Sequence, residues 1–236
     1  MKWVHGRYIK NKSWWDYTPP QDASWYWKKI CRIKEVFKSG CDAPHSWTWQ
    51  GDAGYTVSRG YAWLRGRHER VPWAKSIWAR SVHPKHAFIC WILAHNRLPT
   101  KKRLGKYMPQ TETTCSLCSM AEEDEQHLFL SCPYANAIWR TLREWWKTLP
   151  EITANTQLYS STSPFKGTRT QRHISYAILA AAVYCIWSAR NHKIFKHQRI
   201  SPAQSTIIIK EHVKRRVLFL NSISGRYSNC IDALLS

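Results

Sequence analysis

The sequence predicts a mainly α-helical protein with one small β-hairpin, a compact loop bounded by cysteines and a histidine and packed on helices, and a helical tail. Three observations predict it. Apolar residues recur at helical spacing along most of the 236-residue chain. Strand-like alternation is confined to one stretch, 45–58. Cys115, Cys118, His127 and Cys132 recur at a spacing that suits one metal ion.

The chain opens with aromatic and basic residues: Trp3, Tyr8, Trp14, Trp15, Trp25, Tyr26 and Trp27. Asp22 is the expected cap of a helix over 23–38, where Ile30, Ile33, Val36 and Phe37 form the expected core face. S-W-T-W-Q-G-D-A-G-Y-T-V-S then reads as a hairpin turning at Gln50 to Gly54. Ser58 is the expected cap of a helix from Gly60 to Leu64.

His83-Pro84 starts a central helix, because proline at the first helical position loses no hydrogen bond. Phe88, Ile89, Trp91, Ile92 and His95 make it apolar nearly all round, which predicts burial. Pro99 ends it, and Thr100 caps a short basic helix, 101–107, carrying Lys101, Lys102, Arg103 and Lys106. That basic turn either grips phosphate or is a solvated face.

The central loop reads CSLCSMAEEDEQHLFLSC. Its spacing is C-x2-C, eight residues, His, four residues, Cys. Three thiolates and one imidazole complete a tetrahedral zinc site, and four protein ligands leave no open position for water, so the ion is structural. A redox C-x2-C needs a strand before it and a helix after it; here Thr-Glu-Thr-Thr precedes and an acidic loop follows. The acidic run, Glu122 to Glu125, reads as a solvated loop. Helical structure over 122–130 is expected to present His127, with Cys132 just past its end.

From Pro133 to Leu149, Ile138, Trp139, Leu142, Trp145 and Trp146 recur at i, i+3/i+4, i+7. Such tryptophans stack on bases in some proteins; at helical spacing the core reading is favoured. Residues 150–171 are a Ser/Thr/Asn-rich linker. Two tail helices follow, 172–195 and 202–222. The first holds an apolar run, Ile174 to Trp187, which is shorter than the ~20 residues that span a bilayer. The second carries an Ile209, Val213, Val217, Leu220 stripe with Lys210, Lys214, Arg215 and Arg216 largely elsewhere.

Lys and Arg total 36 against 15 acids, a net charge of +21, which favours polyanions and nucleic acid first. A basic surface that once faced a larger protein gives the same composition. The N-terminus has no apolar signal-like run, and the eight cysteines read as metal ligands and scattered thiols in a reducing compartment. The six aspartates, Asp16, Asp22, Asp42, Asp52, Asp124 and Asp232, include no close pair for two-metal chemistry. No phosphate-binding Gly loop or nucleophile elbow occurs.

C-S-L-C followed by E-E-D-E-Q-H-L-F-L-S-C-P-Y-A-N-A-I-W resembles the reverse-transcriptase zinc-binding domain (zf-RVT). So does the upstream W-A-R-S-V-H-P-K-H-A-F-I-C-W-I-L-A-H-N-R-L-P-T-K-K-R-L, through Trp78, Pro84, Lys85, Phe88, Trp91, Leu98, Pro99, Thr100 and Leu104. Ser119 departs from the family, which usually has Gly after the second cysteine. V-Y-C-I-W-S-A-R-N-H-K-I-F resembles the end of plant LINE-type reading frames, with Arg190 and Asn191 as its recurring polar pair. The resemblance implies a post-polymerase region binding template RNA or target DNA. The expected organisation is an aromatic, basic segment (1–53), the zinc-binding domain (54–149), the linker and a basic helical tail (172–236). The expected protein is non-enzymatic and nuclear, with one structural Zn2+ and RNA or DNA and a reverse transcriptase as partners. No membrane and no small-molecule substrate are expected. The alternative is a protein-interaction remnant of a retroelement protein. The phosphate contacts expected are Lys101, Lys102, Arg103, Lys106, Lys214, Arg215 and Arg216.

Overall fold

Helices supply nearly all the regular structure of the computed structural model, which describes residues 2–38, 56–66, 69, 71–110, 112–154 and 167–235. In chain order they are α1 (Lys2–Val4), continued by a π-type turn (His5–Ile9), α2 (Trp25–Lys38) and α3 (Val57–Arg65). Then come α4 (Ala74–Ile77), α5 (Pro84–Ala94), α6 (Lys101–Gly105), α7 (Pro133–Trp145), α8 (Arg169–Phe195), α9 (Pro202–Ser224) and α10 (Ser228–Leu235). They form two units, Met1–Glu69 and Arg70–Ser236. No strand occurs among the described residues; the one β-type pairing there is an isolated antiparallel bridge, Thr114 to Glu122. The small hairpin expected over 45–58 is thus not seen, and most of it lies on residues 39–55, outside those described. Its last residues are helical, because Thr56 Oγ1 accepts the Arg59 amide (3.2 Å) and so caps α3 in place of Ser58.

In the first unit Trp27 is the centre. Its ring stacks on Tyr8 at 4.4 Å and its indole N–H donates to the Tyr17 hydroxyl at 3.1 Å. That corrects the expected face of α2. Trp27, Cys31 and Lys34 are buried, while Ile30, Ile33 and Val36 are about half exposed. An aromatic ring with a buried polar partner outcompetes three aliphatic side chains for the inner face. Lys34 can be buried because its ammonium donates to the carbonyls of Trp14 and Tyr17 and lies 5.7 Å from the Trp14 ring. Ser24, not Asp22, accepts the Trp27 amide (3.3 Å) and caps the helix.

The second unit is built around α8, which packs against α4, α5, α7 and α9. Fifteen of its 27 residues are buried, among them Ala180, Ala181 and Ala182, whose small side chains let neighbours approach. It starts at Arg169, inside the expected linker, because Thr168 and Gln171 form a capping box. The predicted α9 stripe of Ile209, Val213, Val217 and Leu220 is buried. On α5 the burial is one-sided: His86, Ala87, Cys90 and Leu93 face inward, and Phe88 is 52 % exposed. Trp139 and Trp146 are core residues, with indole N–H groups donating to the Phe129 carbonyl (2.7 Å) and the Ser175 hydroxyl (3.0 Å). No helix among the described residues is long and apolar enough to cross a membrane.

One apolar core therefore runs from Ile77 through α5 and α7 into α8, α9 and α10. A chain ended at Ala154 uncovers the inner faces of α5 and α7. It is expected to aggregate and to show no cooperative unfolding transition in calorimetry, even with zinc. A cooperative transition from that fragment would mean that residues 70–154 fold without the tail.

Candidate metal centre

The four sulfur and nitrogen donors of Cys115, Cys118, His127 and Cys132 lie within 4.8 Å of one another. Cys118 Sγ is 3.2 Å from His127 Nε2. Donors about 2.0–2.3 Å from one tetrahedral zinc ion are roughly 3.3–3.8 Å apart, so the cluster fits one ion with small shifts. All four positions belong to protein side chains, which makes the arrangement a closed site.

Local backbone geometry explains the spacing. The Cys115–Cys118 knuckle is closed by the Ser119 amide donating to the Cys115 carbonyl (2.9 Å). Ser119 takes the left-handed conformation, φ 59°, the position where the resembled family usually has glycine. The second ligand pair sits on a π-type turn, His127–Ser131, closed by the Cys132 amide on the His127 carbonyl (2.7 Å). Residues five apart in an α-helix diverge by about 140°; an i→i+5 turn brings them back onto one side. The expected α-helical presentation of His127 is corrected accordingly. Asp124 caps this turn, its Oδ1 accepting the His127 amide at 2.7 Å.

The thiols have a built environment. The Cys115 thiol is pushed down to about 5, first by the Cys132 thiol that donates to it, against burial, and then by the Cys118 and Leu117 amides. Cys132, giving up that hydrogen bond and buried, is pushed up. It also stands at the N-terminus of α7, where partial positive charge favours a thiolate. This donor set suits a soft-ligand cation such as zinc.

The acidic run is a solvated loop only in part: Glu122 is exposed, but the next residue points inward. Glu123 is fully buried. Its Oε1 accepts Arg190 Nε (3.1 Å), Arg190 Nη2 (2.8 Å) and the Lys101 amide (3.0 Å); its Oε2 accepts the Ser116 amide (2.9 Å). Burial acts to raise the Glu123 pKa, yet the Arg190 hydrogen bonds and charge and the two amides hold it below the usual carboxylate range. Arg190 also donates to the Pro99 carbonyl and to Asn191 Oδ1, and lies 4.8 Å from the Trp187 ring. Arg190, steadied by Asn191, thus anchors the tail to the knuckle through Glu123. Glu122 and Asp124 hold Lys102 at 2.6 and 3.3 Å.

The proposed phosphate contacts are not gathered in one place. On α6, Lys102 pairs with the acidic run, Lys101 reaches Glu112 at 4.0 Å, Arg103 donates to the Asn96 carbonyl at 2.6 Å, and Lys106 lies exposed just past the helix. On α9, Lys214 reaches the Leu235 carbonyl (3.4 Å), Arg215 pairs with Glu211 (3.2 Å) and Arg216 donates to the Arg80 carbonyl (2.8 Å). Sequence reasoning missed Glu123. Its only signal was its place among four acids, which conceals the one that points inward.

Two substitutions test the centre. Glu123→Gln leaves Arg190 charged and buried and is expected to cost about 3–5 kcal/mol in denaturant unfolding, with much of that loss absent when Arg190 is already methionine. Ser119→Gly is expected to gain roughly 0.5 kcal/mol, since relief of the left-handed strain slightly exceeds the added unfolded-chain entropy.

Residues 55–139, which contain all four ligands, match the family model zf-RVT, described as zinc-binding in reverse transcriptase. No curated protein and no solved structure matches the chain. The match ends within α7, so α8 and its Arg190 lie outside it. Over the stretch that carries the Cys3His cluster, the chain is similar to the zinc-binding region of reverse transcriptases.

Proposed function

We propose that this protein is a non-enzymatic nucleic-acid-binding module, held in shape by one structural zinc ion, that binds RNA or single-stranded DNA. The observation that carries the reading is a closed Cys3His cluster within a chain of net charge +21. Fifteen acids cannot neutralise 36 cations, so at least 36 − 15 = 21 basic side chains have no carboxylate of their own. Zinc fixes a short irregular loop that packing alone does not fold. Cations then supply salt-dependent affinity for phosphates, largely independent of sequence. On this reading the protein acts in the nucleus beside the reverse transcriptase of a plant LINE-type element, and Lys101, Lys102, Arg103, Lys106, Lys214, Arg215 and Arg216 belong to its contact surface.

A second reading rests on α2, where Trp25 (65 %), Tyr26 (76 %), Ile30 (48 %) and Ile33 (51 %) are exposed. Such a face suits a protein partner, and the chain is then an interaction remnant of a retroelement protein.

Titration of the zinc-loaded protein with single-stranded RNA, single-stranded DNA and duplex DNA at several salt concentrations separates the two. The expected outcome is binding with a steep salt slope, weakened when Cys115 and Cys118 are both replaced by serine, and about one zinc per chain by metal analysis. A folded, zinc-containing protein that binds none of the three at physiological salt would favour the second reading.

A further inference from the structure

The start of α5 and the middle of α9 carry an unusual set of side chains. A cleft of about 410 Å³ opens between them. His83 and His86 come from the start of α5, Tyr184 from α8, and His212 from α9. The imidazoles form a chain, with ring centroids 5.2 Å apart for His83 and His86 and 5.1 Å for His86 and His212. Lys85, Arg215 and Arg216 share the lining, and no carboxylate does. The nearby Glu211 is paired with Arg215.

We infer that this cleft binds a phosphate group, and that the phosphate belongs to a nucleic-acid strand. Four observations converge. The lining has three cationic side chains on two helices, no acid of its own and one carboxylate beside it, Glu211. Two nitrogens there, His212 Nδ1 and Arg216 Nε, are buried without a hydrogen-bond partner. A phosphate oxygen is the acceptor this corner lacks. Arg216 is already oriented, because its Nη2 donates to the Arg80 carbonyl (2.8 Å) and its guanidinium lies 5.9 Å from the Phe219 ring.

The third observation is size. A cleft of about 410 Å³ is far larger than a phosphate needs. The remaining wall includes Tyr184 and the half-exposed ring of Phe219, aromatic faces on which a base or sugar can rest. The fourth is charge balance. Burial, then His212, His83 and Lys85, push His86 down to about 3, and His83 and His212 are also lowered. Beside burial, Arg216 and Lys85 act on His83, and Arg215 outweighs Glu211 at His212, so these imidazoles sit in a net positive surrounding. A divalent cation is disfavoured there by the same three fixed cations; an anion is favoured.

The assignment to a strand rests on the nucleic-acid reading above. The phosphate chemistry does not, and the experiment keeps the two apart. The full zinc-loaded chain is titrated with uridine monophosphate and with uridine, following the side-chain NMR signals of His83, His86 and His212. A short oligouridylate is titrated by fluorescence anisotropy. The same measurements are made on Lys85→Ser/Arg215→Ser, two exposed positions whose loss leaves the core intact, and on His212→Gln. The expected result is that the monophosphate shifts the histidine signals and uridine does not. Oligouridylate affinity is expected to fall roughly tenfold or more in both variants, the loss of at least one charge-assisted contact in each. Equal shifts with uridine, or oligouridylate affinity unchanged in both variants, would overturn the inference while leaving the module reading in place. Monophosphate binding by the cleft without any oligouridylate binding by the wild type would keep the phosphate site, make free nucleotides its source, and overturn the strand assignment together with the module reading.

Discussion

A single buried carboxylate holds the second unit in register. Glu123 accepts hydrogen bonds from the first turn of α6, from the backbone next to Cys115, and from Arg190 of α8. A charge with no solvent exposure is stable only when its lone pairs are fully used and a counter-charge is close. Both conditions require three separate segments to arrive together. The carboxylate therefore acts as a specificity device more than a source of net stability. A packing arrangement that displaces α8 or the knuckle leaves Glu123 or Arg190 unpaired, which is costly enough to exclude it.

This explains how a small metal loop and a long apolar helix behave as one structure. The knuckle presents a backbone amide to Glu123 and a thiol to the Cys3His cluster from adjacent residues, Ser116 and Cys115. Asp124 does two things as well, capping the turn that carries His127 and pairing with Lys102. The acids between the ligands are thus the mortar between α6, the metal loop and the tail. They also take up part of the basic charge of α6, so the cations at this end of the molecule are less available to a polyanion than their number suggests.

Much of this was legible in the sequence where a local rule has a local cause. The ligand spacing, the His83-Pro84 start, the Thr100 cap and the Ser201-Pro202 start all involve residues within a few positions of one another, and the structure has each of them. The α9 stripe was equally legible, because a single periodic face has one way to be buried. What failed depended on distant partners. The inner face of α2 is chosen by Tyr8, Tyr17 and Trp14, none of which periodicity sees. Glu123 and Arg190 are 67 residues apart, and nothing in either neighbourhood announces the other. The π-type turn was hidden for a different reason: a five-residue ligand interval is compatible with several backbones, and residue identity alone does not choose among them.

That turn sets more than the metal geometry. Each residue of an α-helix advances the side-chain direction by about 100°. Cys132, extended at ψ 132°, breaks that progression between the π-type turn and α7, so the direction of α7 is set at this one corner, and the corner is itself a ligand position. One residue fewer would let an ordinary helical turn carry both ligands, but the corner that aims Ile138, Trp139 and Leu142 at the core would then have to form one residue earlier. The same residue is thus both the last member of the Cys3His cluster and the corner that turns the chain toward the buried face of the helix that follows.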